Sequence, residues 1–396
     1  FQILLSGGLQ KKNGLIETGD KLLKVNSREV ETLSFEELLD MMKGDAGSKL
    51  TLEMKKSTFP NDTIRVELTR ENIILNEERL VYSFEPHANG IIGKIVLPAF
   101  YDGGDQVNAE RDLKEALKAL KREGNLIGLI IDMRENSGGF LTQAVKVAGV
   151  FVNGGLIVVS KYADGEMRYA RDIDGRDYYK GPLVLLTSKA SASAAEIVAQ
   201  ALQDYGVALV VGDERTYGKG SMQFQTLTNE KAKTFFKVTV GRYYTISGKS
   251  PQVEGVKADI LVPTSYFPYN IGEKYLEFPL ESDQLDGKMF HSLKDIKGGA
   301  YLGISQIEIP YLKPRETEWR LMLNKLRDNS QTRLANNKNF QFFLNHPKDL
   351  QANKLVEKFE KDPKQNNFGV DDLQMNEALE IVKDMVYLKK EYFFAK

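Results

Sequence analysis

Leu183-Val184-Leu185-Leu186-Thr187 runs through Ser188-Lys189-Ala190 into Ser191-Ala192-Ser193-Ala194-Ala195-Glu196-Ile197. The short, bounded apolar run reads as a buried strand. Behind it, residues 194–203 read as a helix whose Ile197, Val198, Ala201 and Leu202 face a core. The same alternation continues on both sides. Residues 93–97, 126–133, 208–211 and 236–245 carry strand patterns, and residues 107–120 and 141–151 carry helical ones. Strands alternating with helices predict an α/β fold with a largely parallel sheet.

Residues 1–72 read differently, as a small β-rich module. Strand patterns at 3–5, 21–25 and 50–54 surround a helix that opens at Ser34, with Glu37 placed for a capping box. Residues 299–396 change character again. Glycine nearly vanishes after Gly303, and apolar sets appear at Trp319, Leu321, Leu323 and Leu326 and at Phe340, Phe342, Phe343 and Leu344. A long helical stretch fills 373–394. The expected division is 1–72, 73–298 and 299–396, the last a helical appendage.

Composition removes whole classes of function. The chain has 396 residues, with 54 basic and 55 acidic side chains, so it carries no electrostatic footprint for nucleic acid. No apolar run approaches the ~20 residues of a membrane span. There is no cysteine, hence no disulfide, thiolate nucleophile or cysteine metal site. Three scattered histidines make a metal centre unexpected, and no phosphate loop is present, so no cofactor is implied. Oligomerisation is left open.

The chemistry centres on Ser193 and on Lys219, 26 residues later within Thr216-Tyr217-Gly218-Lys219-Gly220. A serine needs a base to attack a carbonyl, and no histidine lies near either motif. A lysine held neutral can replace it. That requires burial to lower an amine of ordinary pKa ~10.4 by roughly 2–3 units. Ser193 at a helix start would place the Ala194 N–H beside a developing oxyanion. Gly138 and Gly139, after the strand ending at Asp132, can offer a second donor. Gln223 can hydrogen-bond the amine without keeping it protonated. In a plain strand Lys219 and Gln223 would stand ~13 Å apart, so a bend is needed, with Gly220 its candidate. The same residues also fit plainer roles: a helix cap for Ser191 or Ser193, a solvated turn lysine, and an ordinary glycine turn.

The order of these motifs is more specific than any one of them. A module with Gly19-Asp20-Lys21-Leu22-Leu23-Lys24-Val25-Asn26 precedes Asp132-Met133-Arg134-Glu135-Asn136-Ser137-Gly138-Gly139. The serine run, Asp204-Tyr205-Gly206, the Lys219 turn and Gln223 follow, then Ser250-Pro251-Gln252-Val253-Glu254-Gly255-Val256. The first module resembles a PDZ domain lacking its start. Residues 1–265 together resemble the C-terminal-processing, or tail-specific, serine proteases, in their longer bacterial forms, the chlamydial one among them. The resemblance implies a layered crotonase/ClpP-like protease core. It implies Ser193 as nucleophile, Lys219 as general base, Gln223 orienting the lysine, Gly138 and Ala194 as oxyanion donors, and Asp204 and Gly139 as supports. It also implies protein or peptide substrates with exposed apolar C-termini, captured or sensed by the PDZ domain, and a location in the periplasm, at the envelope or outside the cell. Two departures are visible: Ala195 stands where the family often has serine, and the approach to Lys219 is one residue longer. Two other classes compete. One is a PDZ-bearing chaperone or scaffold with a latent core; the other is an acyl-CoA enzyme of the crotonase-like fold.

Overall fold

The computed structural model describes residues 20–33, 35–42, 44, 47–56, 62–70, 79–152, 155–172, 176, 178–227, 235–286, 318–345 and 372–394. The expected strand at 3–5 and the Ser34 cap lie outside these residues. The chain divides into Phe1–Glu78 and Arg79–Lys396.

In the first unit, β1 (Lys21–Val25), β2 (Arg28–Glu29), β3 (Lys49–Lys55) and β4 (Thr63–Thr69) form one antiparallel sheet in the order β2-β1-β3-β4. Alternation places Leu50, Leu52 and Met54 of β3 and Val66 and Leu68 of β4 in a core that also holds Leu38 of helix α1 (Phe35–Met42). The Arg70 guanidinium donates to the carbonyls of Met41 and Met42, satisfying the open end of that helix.

The second unit is built on a six-stranded sheet. Its strands are β5 (Val81–His87), β6 (Gly90–Val96), β7 (Leu126–Asp132), β10 (Leu183–Thr187), β11 (Leu209–Gly212) and β14 (Ile260–Leu261), ordered β14-β11-β10-β7-β6-β5. All neighbours are parallel except β5 and β6. The central strands are buried on both faces, which is why they read as continuous apolar runs. Leu129, Ile131, Leu183, Leu185 and Val210 point to one face, and Ile130, Val184, Leu186, Leu209 and Val211 to the other.

The first face is covered by α2 (Ala109–Glu123), α3 (Leu141–Gly149) and α4 (Ala194–Asp204). Asn108 starts α2 by accepting from the Arg111 N–H at 2.9 Å. A second, antiparallel sheet packs into the same core. It contains β8 (Gly155–Tyr162), β9 (Met167–Asp172), β12 (Ser221–Leu227) and β13 (Phe235–Tyr244), ordered β12-β13-β8-β9. The sequence reading assigns only β13 of these four.

The described helices beyond residue 299 do not stand apart from this unit. Helices α5 (Glu318–Asn336), α6 (Lys338–Asn345) and α7 (Leu373–Phe394) cover the second face of the large sheet. Trp319, Met322 and Leu326 form the buried stripe of α5, whereas Leu321, expected in it, is 57% exposed. Spacings of three and four residues share a helix face, and a spacing of two does not. Arg333 of α5 pairs with Glu377 and Asp384 of α7. Among the described residues no helix is long and apolar enough to cross a membrane.

Candidate active site

Three loops leave the C-terminal ends of three adjacent parallel strands. β7, β10 and β11 lie in register, Asp132 opposite Leu186 and Thr187 opposite Gly212. The loops that follow them therefore begin side by side. They contain Asn136–Gly139, Ser188–Ser193 and Asp213–Gly220. The C-terminal edge of a parallel sheet is where α/β folds place their sites. Here the topology carries Ser193 and Lys219 to one place.

Ser193, Ala194, Lys219, Gln223 and Gly139 line a single cavity of about 320 Å³, whose walls include Leu141, Ile197, Met222 and Val240. Larger clefts beside the end of α4 and between α5 and α7 contain no residue of the three loops.

Ser193 has φ 57° and ψ −115°, a conformation that costs a non-glycine residue on the order of 1–3 kcal/mol. Ser191 is used otherwise. It is fully buried, and its hydroxyl donates to the Met133 carbonyl at 2.7 Å and accepts from the Ser188 N–H at 2.9 Å. That side chain is committed to holding the loop, whereas Ser193 opens into the cavity.

The turn at Gly138 and Gly139 differs from expectation. The Gly138 N–H, expected to face an oxyanion, donates to Asn136 Oδ1 at 2.9 Å. Gly138 (φ 116°) instead permits close packing, since a Cβ there would lie 2.8 Å from Ser193 Cβ. Among the described residues, the N–H groups of Gly139 and Ala194 donate to no protein acceptor.

Lys219 lies in the loop before β12, and Gln223 lies on that strand. The bend between them coincides with a bulge: β12 shifts register against β13 between Met222 and Gln223. Asp204 lies at the other end of α4, about 15 Å along the axis from Ala194. It accepts from Gln200, from the Thr245 hydroxyl and from the Ser247 N–H. It holds a turn and does not line the cavity.

Two residues outside the expected set join these loops. Glu196 is fully buried and accepts from the N–H groups of Ser193 (2.9 Å), Gly218 (2.6 Å) and Lys219 (2.8 Å) and from the Thr216 hydroxyl (2.5 Å). Burial pushes its carboxyl up to about 7, against the pull of these four donors. The Tyr243 hydroxyl contacts the carbonyl oxygens of both Ser193 and Lys219. The Ser193-x-x-Glu196 spacing of a capping box is the signal that could have revealed Glu196. No sequence signal marks Tyr243, which reaches the loops through sheet pairing.

A profile described as peptidase family S41 matches residues 91–262, the stretch that carries all three loops. By this match, residues 91–262 are similar to peptidase family S41. The tail-specific protease of Haemophilus influenzae is 29% identical over 304 residues, 74% of this chain and 43% of that protein. The carboxy-terminal-processing protease of Bartonella bacilliformis is 30% identical over 281 residues, 68% of this chain and 61% of that protein. A solved structure of a photosystem II D1 C-terminal processing protease is 26% identical, with a TM-score of 0.42, and the match covers 65% of this chain and 66% of that one. The chain spans about half the length of the curated relatives it matches.

Proposed function

We propose that this chain is a serine endopeptidase of the Ser-Lys type that acts on proteins through their C-terminal tails. The observation that carries the reading is the convergence of Ser193 and Lys219 on one cavity beside two N–H groups with no protein acceptor among the described residues. Ser193 Oγ attacks the scissile carbonyl while the Lys219 amine takes its proton, then passes it to the departing amine. The N–H groups of Ala194 and Gly139 hold the oxyanion, with Gly138 shaping the turn. Water, activated by Lys219, releases the acyl group. Gln223 lines the same cavity and orients the amine. The apolar walls suit an apolar substrate side chain.

The tail element of the proposal rests on the names of the relatives and on the first unit. Its four-stranded antiparallel sheet and single described α-helix suit a PDZ-like module, which takes an extended C-terminus as an added strand. A periplasmic, envelope or extracellular location accompanies this reading.

The test is degradation of an unfolded reporter ending in an apolar tail. Ser193→Ala and Lys219→Ala are each expected to abolish cleavage, and full cleavage by either variant overturns the Ser-Lys assignment. Replacing the tail by a charged one is expected to slow the wild type. Equal rates on both reporters remove the tail reading and leave the peptidase.

A further inference from the structure

The direction of the Lys219 side chain is set by the two peptide planes that flank it, and each plane is held at both ends. In the preceding plane the Lys219 N–H donates to Glu196, while the Gly218 carbonyl accepts from the Val253 N–H at 2.8 Å. In the following plane the Lys219 carbonyl meets the Tyr243 hydroxyl, and the Gly220 N–H donates to Gln252 Oε1 at 2.9 Å. Two of the four partners, Gln252 and Val253, are adjacent residues of one turn. Val253 has φ 68°, a conformation a β-branched residue rarely adopts.

Gln252 is fully buried. Its amide orientation is fixed by chemistry, because a Gly220 N–H can face only an oxygen. Its Nε2 then donates to the Leu280 carbonyl at 3.0 Å and to Glu273 Oε1 at 3.3 Å. The Glu273 N–H donates to the Tyr217 carbonyl at 2.9 Å. Glu273 therefore holds the lysine loop on one side directly and on the other through Gln252. Gly220 allows this closeness, since a Cβ there would lie 2.4 Å from Ser250 Oγ and 2.7 Å from the Gln252 nitrogen.

We propose that Gln252 is a positioning residue for Lys219: its amide, braced by Glu273 and Leu280, fixes the Lys219–Gly220 peptide plane and so aims the amine at Ser193. This rests on the Ser-Lys reading.

The test uses the full chain and an activated peptide ester as substrate. Gln252→Leu is expected to lower kcat about 10- to 100-fold, the cost of misplacing a reacting group by about 1 Å, with KM within about threefold. On a Lys219→Ala background the same substitution is expected to change the residual rate by less than about twofold, because it acts through the lysine. Gln252→Glu keeps the volume and covers the case in which the leucine variant does not fold. Its carboxylate would face the Leu280 carbonyl and Glu273, whereas its protonated form restores one donor. Its kcat relative to wild type is expected to rise as the pH falls from about 8 to about 5. A Gln252→Leu kcat within about twofold of wild type, equal losses with and without Lys219, or a flat Gln252→Glu ratio would each overturn the proposal. If Lys219→Ala keeps full activity, the Ser-Lys reading falls and this inference falls with it. If Lys219→Ala is inactive while Gln252→Leu keeps its kcat, only the positioning role falls.

Discussion

The two ends of helix α4 each carry a carboxylate, and they are used in opposite ways. At the N-terminus Glu196 is fully buried, and its four donors come from two different loops. At the C-terminus Asp204 is half-buried and accepts from its own helix and from one turn, through Gln200, Thr245 and Ser247. A helix N-terminus favours negative charge and leaves N–H groups open, and a C-terminus does neither. The end with open donors lies at the C-terminal edge of the parallel strands, and there the loops converge. The other end only anchors the helix.

The contrast can be broken most forcefully at Ser193. Ser193→Ala is expected to reduce peptide cleavage by about 10⁴-fold or more, measured under single-turnover conditions. A small loss would move the chemistry away from this end of α4. Next comes Glu196→Gln, which replaces one acceptor oxygen by a donor facing other donors. It is expected to lower kcat about 10- to 100-fold as the Ser193 and Lys219 loops lose their shared partner. An unchanged kcat would reduce Glu196 to a helix cap.

The buried carboxyl also makes a thermodynamic prediction. Its pKa is raised in the fold from 4.5 to about 7, so the folded state holds this proton more tightly than the unfolded chain. Its stabilising contribution is then full below about pH 4.5 and is lost as the pH rises through about 7. That loss is worth on the order of 3 kcal/mol. Tm measured across this window is expected to show a falling component that is missing in Glu196→Gln. Identical pH profiles in the two proteins would remove it. The smallest effect is expected at the opposite end. Asp204→Asn should cost about 1 kcal/mol of stability and leave kcat within about twofold, checked by thermal melts beside cleavage rates. A large loss of kcat would erase the distinction between the two ends.

Much of this architecture is legible in the residues, for identifiable reasons. β7 and β10 are apolar on both faces, so their sequences read as buried strands without any partner being known. Helix α7 spans Leu373–Phe394, as its periodicity predicts. β8, β9 and β12 are absent from the sequence reading although β8–β9 and β12–β13 are neighbours along the chain; only the pairing of β8 with β13 joins distant segments. Leu321 falls outside the buried stripe of α5, and an apolar residue one or two positions off a stripe cannot be told from its members until a face is chosen. At the site, Ser193 and Lys219 stood out by chemical type. Glu196 did not, since a glutamate in the first turn of a helix is ordinary unless its burial is known. Gln252 and Tyr243 act on backbone groups of other loops, and a backbone partner leaves no mark on residue identity.

The sequence by itself determined which side chains could carry the chemistry: a serine at a helix start, a glycine-flanked lysine, and no cysteine or nearby histidine to replace them. It also determined the strand and helix alternation that requires a parallel sheet. The tertiary structure alone decided which donors stay open and which are taken. Asn136 occupies the Gly138 N–H, while those of Gly139 and Ala194 are without a protein acceptor among the described residues. It alone decided what holds Lys219 in place. The physical reason is the same in both cases. Hydrogen-bond satisfaction is settled by groups brought together through space, and parallel strands in register bring together loops that the chain keeps far apart.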